Sequence, residues 1–363
     1  MSAGHYALLL AVAAAVTLAT TPLVRRFGIS IGAVATPGGR NVHEGLIPRI
    51  GGLAIFIGVF AALGVQWLGE ARFGWDSHLL QGGGSVRTLG VIAGLTLMFA
   101  VGFIDDFVSL KPGAKLLGQI MAASVVVWAG LRIAYVGNPV SGGLIMLGIL
   151  SVPVTVLYLI GFANVINLID GLDGLAAGVT AIAATSLLIL AIQGNRLDAA
   201  VLAAAVIGAC IGFLRYNFHP ASIFMGDSGA MFLGFTLAVI SLLGVMKTTA
   251  TIALAVPLLI IGVPIFDTSS AIIRRITHKR PIAEADRGHI HHRLLGRGFD
   301  QRQTVIIIYI WSAALAVAAY AVRYSPGSLR VITLLALFSV TAFMAHWLGL
   351  FEAAHHHDDP KDS

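Results

Sequence analysis

The chain has 363 residues, of which 57% are hydrophobic and 11% charged, with a formal net charge of +6. Soluble domains average about a quarter charged residues, so this composition excludes an ordinary soluble domain and points to an all-α polytopic membrane protein. In such a protein the positive excess reports loops on one side of the bilayer, and no nucleic-acid partner is expected.

Apolar runs recur from end to end. The first four expected spans lie at about Tyr6–Phe27, Ile50–Trp67, Thr88–Phe103 and Ala114–Ile133. The next four lie at about Leu150–Ile166, Leu172–Ile192, Ala199–Leu214 and Ser228–Met246. The last three lie at about Thr249–Ile273, Thr304–Val322 and Leu329–Leu350, which makes about eleven transmembrane helices. Alternating segments of the outer-membrane barrel type are absent. The first run lacks a basic leader and a small-residue cleavage site, and reads as a retained helix. Cys210, the single cysteine, lies in an apolar run and reads as a packing residue. Between spans four and five, two short β-prone runs flank an Asn-Pro and Gly-Gly turn, which predicts a hairpin. Residues 1–350 are expected to form a single integral-membrane domain, and 351–363 a polar, disordered tail.

Basic residues set the expected orientation. Loop one carries Arg25, Arg26, Arg40 and Arg49; loop three carries Lys111 and Lys115; loop seven carries Arg215. Loop nine holds eight more, from Arg274 to Arg302, and Lys361 lies near the end. These odd-numbered loops and the tail hold 16 of the 23 Lys and Arg residues. The positive-inside rule then puts them in the cytoplasm, with the N-terminus outside and the C-terminus inside.

The acidic residues fall on the same side. Asp105 and Asp106 lie in loop three, Asp170 and Asp173 in loop five, and Asp227 in loop seven. Glu284, Asp286, His289, His291 and His292 lie in loop nine. Within NVINLIDGLDG, Asn164, Asn167, Asp170 and Asp173 follow at steps of three, so helical neighbours share a face. Carboxylates and amides at a membrane boundary are costly to bury without partners. This convergence predicts an active site on cytoplasmic loops. A transporter would instead place charges mid-span, where this sequence has few.

Several carboxylates without cysteine ligands favour a hard cation such as Mg²⁺, which takes one or two carboxylates and completes its shell with water and phosphate. Arg, Lys and His on the same surface suit phosphate groups. Together they read as metal-assisted phosphoryl chemistry on a lipid phosphate. Gly226 and Gly229 flank Asp227 at the start of span eight, where a helix N-terminus is expected to favour an anionic phosphate. His289, His291 and His292 could alternatively form a zinc site, although their neighbours Arg287 and Arg293 are not ligands. The run RRITHKR reads as an anchor that also draws anionic substrate to the surface.

Five ordered segments carry a resemblance: RNVHEGLIPRIGG, GFIDDFVSLKPGAKLLGQ, NVINLIDGLDGLAAG, NFHPASIFMGDSGAMFLG and DRGHIHHRLL. The chain closely resembles the bacterial polyprenyl-phosphate N-acetylhexosamine-1-phosphate transferases, within glycosyltransferase family 4. The resemblance implies transfer of N-acetylglucosamine-1-phosphate from UDP-N-acetylglucosamine to undecaprenyl phosphate in the bacterial inner membrane. UMP leaves, Mg²⁺ is the cofactor, and Mn²⁺ is a candidate substitute. It implies Asp227 and Asp170 as metal ligands, and Asp105, Asp106, His289, His291 and His292 as catalytic positions. It implies His43, Arg49, Lys111, Lys115, Asn164, Asn167, Asp170, Asp173, Asn217 and Arg287 as substrate contacts. A homodimer is compatible with it. The HIHH form resembles members that use UDP-N-acetylglucosamine, whereas phospho-N-acetylmuramoyl-pentapeptide transferases more often carry His-His-His. Thr36 before Pro37, and Leu46 where a proline is common, depart from the family's first-loop pattern. A phosphate monoester has a second pKa of about 6, so the acceptor hardly needs a base. Asp105 is then expected to orient rather than deprotonate, and transfer to be direct and in line.

Overall fold

The computed structural model describes residues 3–35, 47–75, 87–137, 144–245, 255–277, 288–324 and 327–350. His43, Arg287, the first-loop segment 36–46 and the tail 351–363 lie outside the described residues.

The described helices begin with α1 (Ala3–Ser30), α2 (Gly52–Phe73), α3 (Thr88–Val108), α4 (Pro112–Trp128), α5 (Ser151–Ile169) and α6 (Leu175–Gln193). They continue with α7 (Leu197–Asn217), α8 (Gly226–Val245), α9 (Ala255–Ile260), α10 (Gly262–Thr277), α11 (Ile290–Gly296), α12 (Gln301–Tyr324) and α13 (Gly327–Leu348). Among the described residues, eight helices are long and apolar enough to cross a membrane, which makes this a polytopic membrane protein. The expected fourth span appears as the 17-residue α4. The expected ninth is not continuous, because the helix is interrupted at Ile261 and resumes as α10. Pro257 and Pro264 straddle this break. Pro264 lacks the N–H that would bond back to the Ile260 carbonyl, and its ring crowds that oxygen, which accounts for the interruption.

Two short antiparallel ribbons accompany the helices: β1 (Val34–Ala35) with β2 (Ile47–Pro48), and β3 (Tyr135–Gly137) with β4 (Leu144–Met146). The second is the expected hairpin, in the register Tyr135 to Met146.

Helices α7 and α8 form the interior. Nearly every residue of α7 from Ala199 to Cys210 is buried, and so is α8 from Ser228 to Leu243. Because lipid is as apolar as leucine, close packing rather than water exclusion holds such helices together. Small residues permit it. A Cβ on Gly52 of α2 would collide with Gly229 of α8, and one on Gly102 of α3 would meet the backbone of Asp227 and Ser228 at 2.6 Å. Phe56 stacks on Phe99 at 4.2 Å and meets Phe232 edge-on at 5.4 Å, joining α2, α3 and α8. Such aromatic pairs contribute about 0.5–1.5 kcal/mol beyond their burial. Leu8, Leu18 and Leu23 of α1, and Leu157 of α5, stay exposed, as lipid-facing residues do.

Candidate active site

The site forms where helix ends converge. The C-terminal ends of α3, α5 and α7 meet the N-terminal ends of α4, α8 and α12. Arg25, near the end of α1, donates to the Ser222 carbonyl (3.0 Å), and Arg302, at the start of α12, donates to the His219 carbonyl (3.1 Å). The loops expected to share one membrane face therefore occupy one end of the bundle.

Lys115 is central. Its Nζ lies 2.7 Å from Asp105 Oδ2 and 3.0 Å from Asp227 Oδ2. Pro112 at the first turn of α4 is preorganised for a helix start, and it sets Lys115 one turn in. Asp105 is only 7% exposed, so its charge depends on this lysine and on the Leu110 N–H, which donates to Oδ1 at 2.6 Å.

Asp106 does something different. Its Oδ1 accepts the Asp227 N–H (2.7 Å) and its Oδ2 accepts the Ser228 N–H (3.1 Å). It satisfies amides that would otherwise be orphaned at the start of α8. The start of α8 was expected to receive phosphate; the structure gives these two amides to Asp106 instead. Gly226 makes the approach possible. Its φ is +73°, and a Cβ there would strike the Arg49 carbonyl oxygen and both Asp106 carboxylate oxygens.

Asp170 ends α5, half-buried. Burial first, then the charges of Asp227, Asp106 and Asp173, push its pKa up to about 8, with Arg49 opposing. The Arg49 side chain is exposed, and Lys111 is an exposed residue just before α4. Asn167 is half-buried one turn before Asp170.

Three of the expected substrate contacts have their polar atoms engaged within the fold. Asp173 Oδ2 accepts the Ala221 N–H (3.0 Å) and lies 2.9 Å from His219 Nδ1. Asn217 accepts the Gly174 N–H (3.1 Å) and donates to the Ile223 carbonyl (3.0 Å). Asn164 donates to Gln119 Oε1 (2.9 Å) and accepts from Gln119 Nε2 (3.1 Å), a reciprocal amide pair between α5 and α4.

The histidines sit above the Asp170–Asp173 turn. A Cβ on Gly171 would lie 2.8 Å from His291 Nε2. The His289 and His291 rings are parallel, 5.8 Å apart, and His292 lies 4.2 Å beyond His291. Burial chiefly, and the neighbouring His292, hold His291 down to about 3, so it is neutral at physiological pH.

Asp267 was missed by the sequence reading. It lies in α10, buried, with Oδ1 accepting the Ile290 N–H (2.7 Å) and Oδ2 at 3.0 Å from His289 Nδ1. The signal was available: a lone carboxylate in an otherwise apolar stretch is a functional candidate by default.

Among the described residues, no three His, Cys, Asp or Glu side chains gather tightly enough to form a metal cage. Mg²⁺ asks for one or two carboxylates and takes its other ligands from water and phosphate, and Asp170 and Asp227 lie close enough that the charge of Asp227 raises the pKa of Asp170. The lack of such a cage among the described residues does not suit a three-histidine zinc site.

These features define a polytopic membrane protein whose helix ends assemble a carboxylate, lysine and histidine site at one end of the bundle. The chain belongs to glycosyl transferase family 4, whose profile matches residues 88–245. It is 39% identical over 333 residues to the "Probable undecaprenyl-phosphate N-acetylglucosaminyl 1-phosphate transferase" of Bacillus subtilis (strain 168), covering 92% of this chain and 89% of that one. It is 37% identical to the decaprenyl-phosphate N-acetylglucosaminephosphotransferase of Mycolicibacterium smegmatis, over 88% of this chain and 83% of the relative. Similarity extends at 32% identity to the phospho-N-acetylmuramoyl-pentapeptide-transferase of Desulforudis audaxviator, over 77% and 84% of the two chains.

Proposed function

We propose that this protein transfers N-acetylglucosamine-1-phosphate from UDP-N-acetylglucosamine to undecaprenyl phosphate, releasing UMP and starting a cell-surface polysaccharide. The observation that carries the proposal is Lys115 held between Asp105 and Asp227 at converging helix ends. It is supported by 39% identity to a relative named for that reaction.

Asp227 and Asp170 would hold Mg²⁺. Once bound, the ion would supply charge neutralisation for the donor's diphosphate. Lys115 holds Asp105 and Asp227 in a fixed relation, so both oxygens are aimed before substrate arrives. Arg49 and Lys111 are exposed cations on the approach to this cluster, suited to phosphate oxygens. His291, neutral and almost fully buried, offers a hydrogen bond without adding charge. The acceptor phosphate attacks the sugar-bearing phosphorus in line, and UMP departs.

The same proposal places the protein in the bacterial inner membrane with about eleven spans, N-terminus outside and C-terminus in the cytoplasm. The cluster then faces cytoplasmic UDP-sugar.

The test is UMP release by purified protein in detergent with undecaprenyl phosphate and Mg²⁺. Turnover is expected with UDP-N-acetylglucosamine and not with UDP-N-acetylmuramoyl-pentapeptide, and it is lost in Asp227→Asn and in chelator. Turnover with the pentapeptide donor alone would move the protein to the peptidoglycan branch. UMP from neither donor, in a folded preparation, would overturn the assignment of this donor and acceptor.

A further inference from the structure

The Asp267 carboxylate is buried between α10 and the start of α11, and it is only 2% exposed. It lies outside the Asp105–Lys115–Asp227 cluster. Taking a carboxylate out of water is costly unless its oxygens are satisfied, and here both are. Oδ1 accepts the Ile290 N–H at 2.7 Å, and Oδ2 lies 3.0 Å from His289 Nδ1. The Ser270 hydroxyl donates to the Asp267 backbone carbonyl (2.8 Å) one turn on.

Two consequences follow from these bonds. A carboxylate only accepts hydrogen bonds, so His289 Nδ1 must carry the hydrogen that faces Asp267. Asp267 also grips two successive residues, the His289 side chain and the Ile290 amide. That pins the first turn of α11, and with it the ring of His291. His291 stands parallel to His289 and packs onto Gly171, between Asp170 and Asp173.

We infer that Asp267 is a positioning residue for the histidine segment. It fixes the His289 tautomer and the depth at which α11 docks on the Asp170–Asp173 turn. Such outer carboxylates orient a working imidazole and typically account for about 10–100-fold in activity. The expected consequence for turnover rests on the proposed transferase reaction; the tautomer assignment does not.

The discriminating substitution is Asp267→Asn. An asparagine of the same shape can still accept the Ile290 N–H through its oxygen. Its amide nitrogen then faces His289 Nδ1 as a donor and forces the ring into the opposite tautomer. The first readout is ¹⁵N spectroscopy of histidine-labelled protein, with the His289 signals identified by their loss in His289→Gln. The wild type is expected to carry the hydrogen on Nδ1, and Asp267→Asn to carry it on Nε2.

The second readout is UMP release. Asp267→Asn is expected to fall about 10–100-fold while keeping the wild-type thermal midpoint. The double variant Asp267→Asn/His289→Gln is expected to be no slower than His289→Gln, because the two act as one unit. Losses that multiply in the double variant would mean that Asp267 does not act through His289, and would overturn the inference. So would a wild-type His289 bare at Nδ1, or an Asp267→Asn protein with undiminished turnover. A wild-type protein that releases no UMP would refute the transferase reading, and the tautomer measurement would still decide the role of Asp267.

Discussion

Asp105 and Asp106 are adjacent in the chain and hold different helices. Asp105 pairs with Lys115 of α4, while both oxygens of Asp106 accept the opening amides of α8. Successive helical side chains point about 100° apart, so a doublet at a helix end can serve two neighbours at once. The motif is one unit in sequence and two devices in space.

Because Asp106 caps α8, Asp106→Ala strands two amides. Losing a cap costs about 0.5–2 kcal/mol, and in a protein of this size each kcal/mol lowers the thermal midpoint by about 1 °C. A lower midpoint in detergent is expected, whereas Asp227→Asn should lose UMP release with little change in midpoint. Equal thermal losses in the two variants would contradict this division of labour.

Lys115→Met removes the only cation hydrogen-bonded to both Asp105 and Asp227 among the described residues. Turnover is expected to fall by about 100-fold or more, the scale of losing one preorganised electrostatic contact. Lys115→Arg keeps the charge but not the compact ammonium, so it should recover only part of the rate. Steady-state UMP release at saturating donor checks both, and full activity in Lys115→Met would remove Lys115 from the mechanism.

An unfolded histidine binds its proton near pH 6.5, whereas His291 in the fold does so only near 3. Between those values the unfolded chain binds more protons, so stability is lost as pH falls. Between pH 7 and pH 5 the thermal midpoint of the wild type should therefore fall relative to that of His291→Gln measured alongside it, because only the wild type carries the His291 loss. An equal fall in both would show that His291 is not held neutral.

Asp170 has the opposite sign. An unfolded aspartate titrates near 3.9 and Asp170 near 8, so the fold holds the extra proton between them and loses stability as pH rises through that window. A bound divalent cation would offset that loss. Magnesium is therefore expected to raise the midpoint more at pH 8 than at pH 6. Asp170→Asn should be the more stable form at pH 8 in chelator, and should gain less from magnesium. A magnesium shift of equal size at both pH values would argue against Asp170 as a ligand.

Much of this site was legible because positive charge and acid clusters both obey the membrane: Asp105, Asp170 and Asp227 fall in alternate loops, and their helix ends do meet. Three things escaped the sequence reading. Asp267 pairs with His289 across 22 residues, a separation without helical or strand periodicity, and hydropathy averaging hid it inside one expected span. The break at Ile261 was hidden for the same reason, although Pro257 and Pro264 were visible. The capping of the α8 start by Asp106, where phosphate was expected, depends on how closely α3 and α8 approach, which Gly102 and Gly226 permit but spacing alone does not reveal.

The amide pair between Gln119 and Asn164 limits how this protein can drift. The amide N–H of each donates to the carbonyl oxygen of the other. Changing either one alone abandons a polar group among apolar helices. The two positions are therefore free to vary only as a couple, and a lineage that replaces one must pass through a damaged intermediate or change both.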